Sequence, residues 1–213
     1  MTSTEANSAG SAPRIWNLPN ILTMLRIALV PFFVWFLVAD APGLDAQNGP
    51  WRWAAVVLFA LAIYTDKLDG DIARSRGLIT DFGKIADPIA DKLLIGSALV
   101  MLSLLGELPW WVTILILVRE WGVTALRFFV IRYGVIPASR GGKLKTVIQT
   151  VAIFLYILPL TSIAPWLGFV AFAVMMVALA ITVWTGGEYV IEALKLRASG
   201  IRAQQQKIQE GKP

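Results

Sequence analysis

Residues 66–91 read DKLDGDIARSRGLITDFGKIADPIAD, and this stretch contains six of the eight aspartates in the chain. Apolar segments flank it on both sides. Asp71 and Asp81 are interpreted as ordinary cap or solvent-facing residues, with Asp81 capping the helix that follows. The spacing of the other four needs a chemical explanation: Asp66, Asp69, Asp87 and Asp91.

The composition indicates a membrane protein of one domain. Among the 213 residues, 57% are hydrophobic and 15% are charged, and the mean hydropathy is +0.67. The sequence has no cysteine and no histidine, which excludes disulfides, thiol chemistry, histidine-ligated zinc and Ser-His-Asp triads. Acid–base chemistry at neutral pH therefore falls to carboxylates, lysine, tyrosine or a metal-bound water. The net charge of +5 suits an anionic membrane surface and gives no reason to expect nucleic acid as a partner.

Six apolar segments of roughly bilayer-crossing length, about 17 to 25 residues each, predict an all-α integral membrane protein. They cover residues 21–38, 51 into the aspartate region, 83–105, 109–131, 145–160 and 166–194. Arg14, Trp16 and a break at Pro19–Asn20 predict a short N-terminal interfacial helix before the first span. Residues 1–13 are interpreted as a disordered tail, 14–195 as the membrane domain and 196–213 as a polar cytoplasmic tail.

The charges of the connecting segments predict the orientation. The segments 41–50, 106–108 and 161–165 contain no lysine or arginine, whereas basic residues collect on the other side. The positive-inside rule puts both termini and the aspartate segment in the cytoplasm. We therefore expect a multi-pass protein of the inner or plasma membrane whose active site faces the cytoplasm.

Helical periodicity brings the aspartates together. If the second span stays helical through Ala73, then Asp66, Asp69, Gly70, Ala73 and Arg74 share one face. In the third span Gly83, Asp87 and Asp91 share a face in the same way. The short connection between the spans makes them antiparallel neighbours, so the sequence predicts four carboxylates at one membrane-embedded spot.

Placing four negative charges together in a membrane costs free energy that other groups have to offset. Each intramembrane aspartate costs about 2.5–3.5 kcal/mol, so four approach roughly 10 kcal/mol before their mutual repulsion. Protonation, pairing with Arg74 and Lys84, or divalent cations would lower this free energy. Two basic partners do not neutralise four carboxylates, and all-oxygen ligands favour Mg²⁺, Mn²⁺ or Ca²⁺. The sequence thus predicts a two-metal site suited to attack on a phosphoryl group.

The pattern D-x2-D-G-x2-A-R-x8-G-x3-D-x3-D resembles the signature of the CDP-alcohol phosphotransferase family, and all eight of its fixed positions match. The stretch LPNILTMLRI (residues 18–27) is similar to the opening motif of that family. REWGVTALR and GGKLKTVIQT (residues 119–127 and 141–150) resemble the branch that forms phosphatidylglycerol phosphate.

The resemblance implies transfer of a phosphatidyl group from CDP-diacylglycerol to an alcohol, with release of CMP. It implies that Asp66, Asp69 and Asp87 hold two Mg²⁺ or Mn²⁺ ions, and that Asp91 is a further metal ligand and the general base. Dimerisation is typical of the family, so a homodimer is expected. The implied CDP-diacylglycerol-binding residues are Asn20, Thr23, Asp69, Gly70, Ala73, Arg74, Thr80 and Gly83.

A cationic cluster at the cytoplasmic end of spans four and five predicts an anionic acceptor. It consists of Arg119, Arg127, Arg132, Arg140, Lys143 and Lys145. The resemblance to the phosphatidylglycerol phosphate branch favours sn-glycerol 3-phosphate, although inositol phosphate fits the charge equally well. The predicted ligands of the acceptor are Arg119, Arg127, Lys143 and Lys145.

Several alternatives stay open. Arg119 is equally well explained by a pairing with Glu120 or with a site carboxylate, and Asn20 and Thr23 by capping of the first helix. The alternative for Arg127, Lys143 and Lys145 is that they are plain positive-inside charges. The function has three rivals. A phosphatidylinositol phosphate synthase or a cardiolipin synthase would belong to the same family, whereas a divalent-cation transporter would use the carboxylates as a pathway. Arg74 disfavours the transporter, because an arginine beside a cation path repels the cargo.

Overall fold

The computed structural model of the protein describes residues 17–78, 80–130, 140–209 and 211. These residues form seven α-helices and one 3₁₀ turn, with no strand among them. The helices are α1 (Leu18–Asp40), α2 (Pro50–Ser75), α3 (Asp81–Leu104), α4 (Trp110–Val130), α5 (Arg140–Ile157), α6 (Leu160–Ile163) and α7 (Leu167–Gln209), and the 3₁₀ turn is Pro42–Leu44. The all-α prediction is therefore confirmed for the described residues.

Each of the six predicted spans corresponds to one long helix, namely α1 to α5 and α7. Two helical segments, Leu18–Asp40 and Leu167–Ser199, are long and apolar enough to cross a bilayer by length and composition. The other four long helices combine apolar residues with charged ones. The four-residue helix α6, which was not predicted, lies in the connection between α5 and α7.

The start of α1 differs from the prediction. Pro19 and Asn20 lie within the first turn of α1 and do not break the chain, because a proline in the first turn lacks only an N–H that has no helical partner there. Asn17 is the N-cap, and its side-chain oxygen accepts from the backbone nitrogen of Asn20 at 2.9 Å. The predicted interfacial helix otherwise falls on residues 14–16, which lie outside the described residues, as does the predicted tail 1–13.

The end of α7 is longer than the predicted sixth span. The helix continues without interruption from Leu167 to Gln209. The polar residues predicted as a cytoplasmic tail from 196 onward are thus helical up to Gln209. Their low hydropathy ended the predicted span, but polar residues such as Gln, Lys and Arg are good helix formers and do not end a helix.

The core of the bundle is apolar, and so is much of its outer surface. Phe33, Phe59 and Leu99 are fully buried between α1, α2 and α3, whereas Phe129 and Phe169 are 74% and 78% exposed. A protein surrounded by water rarely exposes so many large apolar side chains. This surface, together with the two apolar helices, indicates a membrane protein.

A buried arginine, Arg52, links several elements at the start of α2, the end of this helix that lies away from Asp66 and Asp69. Arg52 is 1% exposed, and its Nε donates to the carbonyl oxygen of Ile157 at 2.7 Å. Its Nη2 donates to the carbonyl oxygen of Tyr156 at 2.8 Å and to the carboxylate of Glu107. Arg52 therefore joins the start of α2 to the last carbonyls of α5 and to the turn between α3 and α4.

The predicted orientation is testable because the sequence has no native cysteine. We expect a cysteine at Gln47 to react from outside intact cells with a membrane-impermeant maleimide. Cysteines at Ser75 and Ser199 should react only after permeabilisation, since these positions belong to the basic side. All three residues are exposed, so burial does not limit their labelling. Labelling of Ser75→Cys in intact cells would contradict the orientation.

Candidate active site

The first turns of α1 and α3 are held together by a buried pair of side chains. The Nδ2 of Asn20 donates to the Oγ1 of Thr80 at 2.9 Å, and the amide oxygen of Asn20 lies 3.1 Å from the same hydroxyl. Thr80 Oγ1 also accepts from the backbone nitrogen of Gly83 at 3.0 Å and so caps α3. The N-cap of α3 is therefore Thr80, and the prediction that Asp81 caps this helix is wrong.

Gly83 provides the space for this contact. A Cβ atom at this position would lie 2.9 Å from Oδ1 of Asn20 and 3.3 Å from Oγ1 of Thr80. The first distance is shorter than real Cβ atoms tolerate. The glycine thus allows the side chain of Asn20 to reach the start of α3.

Three of the four aspartates contact Arg26 of α1, a residue that the signature pattern does not include. Arg26 is fully buried, and its Nη1 lies 2.6 Å from Oδ1 of Asp66 and 2.9 Å from Oδ1 of Asp91. Its Nη2 lies 2.5 Å from Oδ2 of Asp69. One guanidinium therefore contacts carboxylates from both α2 and α3.

The fourth carboxylate joins the cluster through Thr23, one turn before Arg26. The hydroxyl of Thr23 donates to Oδ1 of Asp87 at 2.6 Å and lies 3.4 Å from Oδ2 of Asp69. It also lies 3.1 Å from the carbonyl oxygen of Pro19. Asn20 and Thr23 thus contact α3 or the carboxylates, and the helix cap suggested as an alternative is supplied by Asn17.

The chemistry of this cluster fits divalent cations. Its donors are carboxylate oxygens, and one guanidinium leaves the four carboxylates with an excess of three negative charges. Asp66 and Asp91 are 40% and 52% exposed at the side chain, so ions have access to them. In the described part of the chain, no three acidic side chains are already arranged around a common ion position.

The other signature residues of α2 lie at the edge of the cluster. Arg74 is 68% exposed at the side chain and pairs with Asp71 at 2.9 Å. A Cβ atom at Gly70 would lie 3.2 Å from the guanidinium of Arg74, so the glycine lets this side chain lie against the helix backbone. Asp71 is exposed, as predicted. The side chain of Lys84, the other basic partner considered, lies outside the described residues.

The predicted acceptor residues lie on α4 and α5, and the two arginines of α4 contact α7. Arg119 donates to the carbonyl oxygen of Thr182 at 3.2 Å and to the hydroxyl of Thr185 at 2.9 Å. It also pairs with Glu120 at 3.2 Å, and the same carboxylate accepts from Lys145. The pairing of Arg119 with Glu120, which the sequence left open, is therefore present, and Lys145 shares it.

Arg127 completes this cationic group through Tyr189 of α7. Its Nη2 donates to the phenol oxygen of Tyr189 at 2.7 Å, and its guanidinium lies 4.8 Å from the ring centre. The guanidinium of Arg119 lies 5.8 Å from the same ring, so both arginines share one face of α4, as their spacing predicts. Lys143 is exposed. Arg132 and the side chain of Arg140 lie outside the described residues.

A comparison with known protein families decides the relationship. The profile described as CDP-alcohol phosphatidyltransferase matches residues 16–184, well over half of the 213 residues. The chain belongs to the CDP-alcohol phosphatidyltransferase family. The members of this family are enzymes, and the eight signature positions include the four carboxylates of the cluster.

Individual relatives in this family match most of the chain. A probable phosphatidylglycerophosphate synthase of Mycobacterium tuberculosis (strain ATCC 25618 / H37Rv) is 52% identical over 191 residues, which cover 90% of this chain and 88% of the relative. A CDP-diacylglycerol–glycerol-3-phosphate 3-phosphatidyltransferase of Bacillus subtilis (strain 168) is 36% identical over 82% of this chain and 94% of the relative. An enzyme of the same name from Rickettsia typhi (strain ATCC VR-144 / Wilmington) is 39% identical over 81% of this chain and 94% of the relative.

The family signature did not reveal Arg26, although a signal for it was present in the sequence. Arg26 follows Asn20 and Thr23 at three-residue steps inside an apolar helix, and an ionisable residue in such a helix is usually functional. Arg52 is likewise an ionisable residue in a predicted span, at the end of α2 opposite to Asp66 and Asp69. Neither residue belongs to the signature pattern or to the connecting segments whose charges predict the orientation.

Replacing Gly83 with alanine tests the contact between α1 and α3. We expect Gly83→Ala to lower the free energy of unfolding by about 1–3 kcal/mol, because the new Cβ displaces Asn20 from Thr80 and leaves buried polar groups without partners. The measurement is thermal unfolding followed by tryptophan fluorescence in detergent. The matched control is Gly122→Ala in α4, where a Cβ meets nothing within 4 Å; alanine should be neutral or stabilising there. Equal effects of the two substitutions would contradict the close approach at Gly83.

Proposed function

We propose that the protein transfers the phosphatidyl group of CDP-diacylglycerol to sn-glycerol 3-phosphate, giving phosphatidylglycerol phosphate and CMP. The observation that carries this proposal is the 52% identity over 90% of the chain with the M. tuberculosis relative named probable phosphatidylglycerophosphate synthase. The names of the B. subtilis and R. typhi relatives specify the same donor and acceptor. A divalent-cation transporter is disfavoured by the membership of the chain in a family of enzymes.

The proposal assigns the six long helices to membrane spans, with the carboxylate cluster at the cytoplasmic side. The apolar outer surface and the basic connections support this arrangement. The acyl chains of the donor then stay in the lipid while its headgroup reaches the cluster. The water-soluble acceptor arrives from the cytoplasm. The homodimer expected from the family stays a prediction.

The donor headgroup is assigned to the residues around the carboxylates. When bound, two Mg²⁺ or Mn²⁺ ions held by Asp66, Asp69 and Asp87, with Asp91 as a further ligand, would polarise the diphosphate and neutralise charge on the departing CMP. Arg74 supplies a planar donor fork suited to a phosphate oxygen. Its exposure and its exposed partner Asp71 leave it able to turn toward the diphosphate. Asn20, Thr23, Ala73, Thr80 and Gly83 line the same region in the proposal.

Asp91 is assigned the proton transfer. The acceptor hydroxyl oxygen forms a bond to the phosphorus that carries diacylglycerol, and the bond from this phosphorus to the CMP oxygen breaks. The hydroxyl proton passes to the carboxylate of Asp91. Asp91 is 52% exposed, which gives a soluble alcohol access to it, whereas Asp69 is 4% exposed and does not offer this access.

The acceptor phosphate is assigned to Arg119, Arg127, Lys143 and Lys145. Arg119 and Lys145 share the carboxylate of Glu120, so their charged groups are fixed close to one another before any phosphate arrives. A phosphate dianion has more acceptor oxygens than Glu120 and can bind both cations at once. This pair therefore suits a phosphomonoester better than a neutral alcohol.

The assay that tests the function measures CMP release from CDP-diacylglycerol by the purified protein. We expect release with sn-glycerol 3-phosphate and none with inositol phosphate or phosphatidylglycerol, and a loss of release on adding a chelator. Asp91→Asn should lower kcat by at least about 10²-fold, the usual contribution of a positioned base. Release with inositol phosphate alone would overturn the acceptor and retain the family.

The acceptor pocket is tested by Lys145→Gln. We expect a rise in KM for sn-glycerol 3-phosphate of about tenfold or more, since a charged hydrogen bond contributes about 1.5–3 kcal/mol. The KM for CDP-diacylglycerol should stay unchanged. Arg197→Gln, which removes an exposed charge from α7, is the control for a general change of surface potential. Equal kinetic effects of the two substitutions would make Lys145 a membrane anchor and not a ligand.

A further inference from the structure

Arg26 occupies the centre of the carboxylate cluster, yet it belongs to none of the eight signature positions. It is fully buried and contacts Asp66, Asp69 and Asp91 at 2.6, 2.5 and 2.9 Å. These three carboxylates come from two different helices, and Arg26 comes from a third. The side chain therefore links α1, α2 and α3 at the point where the reaction is proposed to occur.

The cluster has a buried side and an exposed side, because its residues differ in solvent exposure. Arg26 has no exposed surface, whereas Asp66 and Asp91 are 40% and 52% exposed. The guanidinium thus lies beneath these carboxylates, on the side away from solvent. Its contacts with the three carboxylates engage one oxygen of each, Oδ1 of Asp66, Oδ2 of Asp69 and Oδ1 of Asp91. Asp66 and Asp91 would hold a divalent ion from the exposed side of the cluster.

Arg26 carries a permanent positive charge within the protein, whereas divalent ions have to be bound from solution. A guanidinium stays protonated at any pH at which the protein is folded. The carboxylates of Asp66, Asp69 and Asp91 lie against the same guanidinium and are therefore close to one another, and their mutual repulsion acts in a poorly screened environment. Without an internal cation, the carboxylates would move apart when no divalent ion is bound. With Arg26 they stay together.

We propose that Arg26 is a positioning residue, a built-in counter-ion that holds Asp66, Asp69 and Asp91 together before divalent ions bind. The carboxylates are then held near one another in advance, and ion binding requires their side chains to turn but little rearrangement of α2 and α3. The proposal rests on the proposed function only for the presence of the ions. It predicts that the stability of the protein depends weakly on divalent ions as long as Arg26 is present.

The test compares Arg26→Met with Arg52→Met by thermal unfolding in detergent, with either a chelator or saturating Mg²⁺. Arg52 is the matched control, because it is equally buried and also pairs with a carboxylate, that of Glu107, but lies far from the cluster. Removing one partner of a buried ion pair should lower Tm by about 10 °C in a chain of this length.

For Arg26→Met we expect this loss in chelator and recovery of at least half of it in Mg²⁺, because the ions replace the missing positive charge. For Arg52→Met we expect the same Tm loss in both solutions, and for the unchanged protein a small Mg²⁺ shift. The proposal would be overturned if Mg²⁺ raised the Tm of Arg26→Met and of the unchanged protein by the same amount, or raised neither.

A second pair of variants covers the case in which Arg26→Met does not fold. The ammonium of Arg26→Lys keeps the charge but does not reach three carboxylates at once. We expect a larger Mg²⁺ shift in Arg26→Lys than in Arg52→Lys, and equal shifts would count against the proposal. All these measurements omit the donor and the acceptor. A failure of CMP release by the unchanged protein would therefore reject the proposed function without deciding the role of Arg26.

Discussion

The attraction between one buried guanidinium and three carboxylates is the interaction on which the rest of the site depends. Four aspartates on two helices repel one another, and an apolar surrounding makes this repulsion stronger than in water. Arg26 offsets it from α1, with contacts of 2.5–2.9 Å to both other helices. α2 and α3 each pack mainly against α1 and not against each other, which corrects the prediction that they are direct neighbours. The carboxylates therefore come together through α1.

The neighbouring contacts of α1 follow from the same requirement. Asn20, Thr23 and Arg26 lie along the side of α1 that meets the start of α3 and the carboxylates. Asn20 fixes the N-cap Thr80, and Gly83 is small enough to admit its amide. Two kinds of position in the family pattern thus have different explanations: Gly83 is explained by the space that Asn20 needs, and the four aspartates by their charge.

The cationic group on α4 and α5 is a second charged region, and its side chains are held by other kinds of contact. Arg119 and Lys145 share Glu120, while Arg119 and Arg127 pack on Tyr189. Every one of these cations is held by a neighbour, so the region is fixed in shape and still carries a net positive charge. An anionic group that enters meets a prearranged set of donors, which lowers the entropy lost on binding.

The sequence alone determined the helical class, the six long helices and the approach of the four aspartates, because the periodicity of a helix and the length of an apolar run are local properties. It also indicated the family, since the spacing of the eight signature residues is written directly in the chain. Only the tertiary structure showed which residues pair with the aspartates and which residue caps α3. Arg26 contacts Asp66, which lies 40 positions further along the chain. Asn20 binds Thr80, and Thr80 is the N-cap that was expected at Asp81. Such partners depend on the relative rotation and depth of separate helices, which packing fixes and no local pattern records.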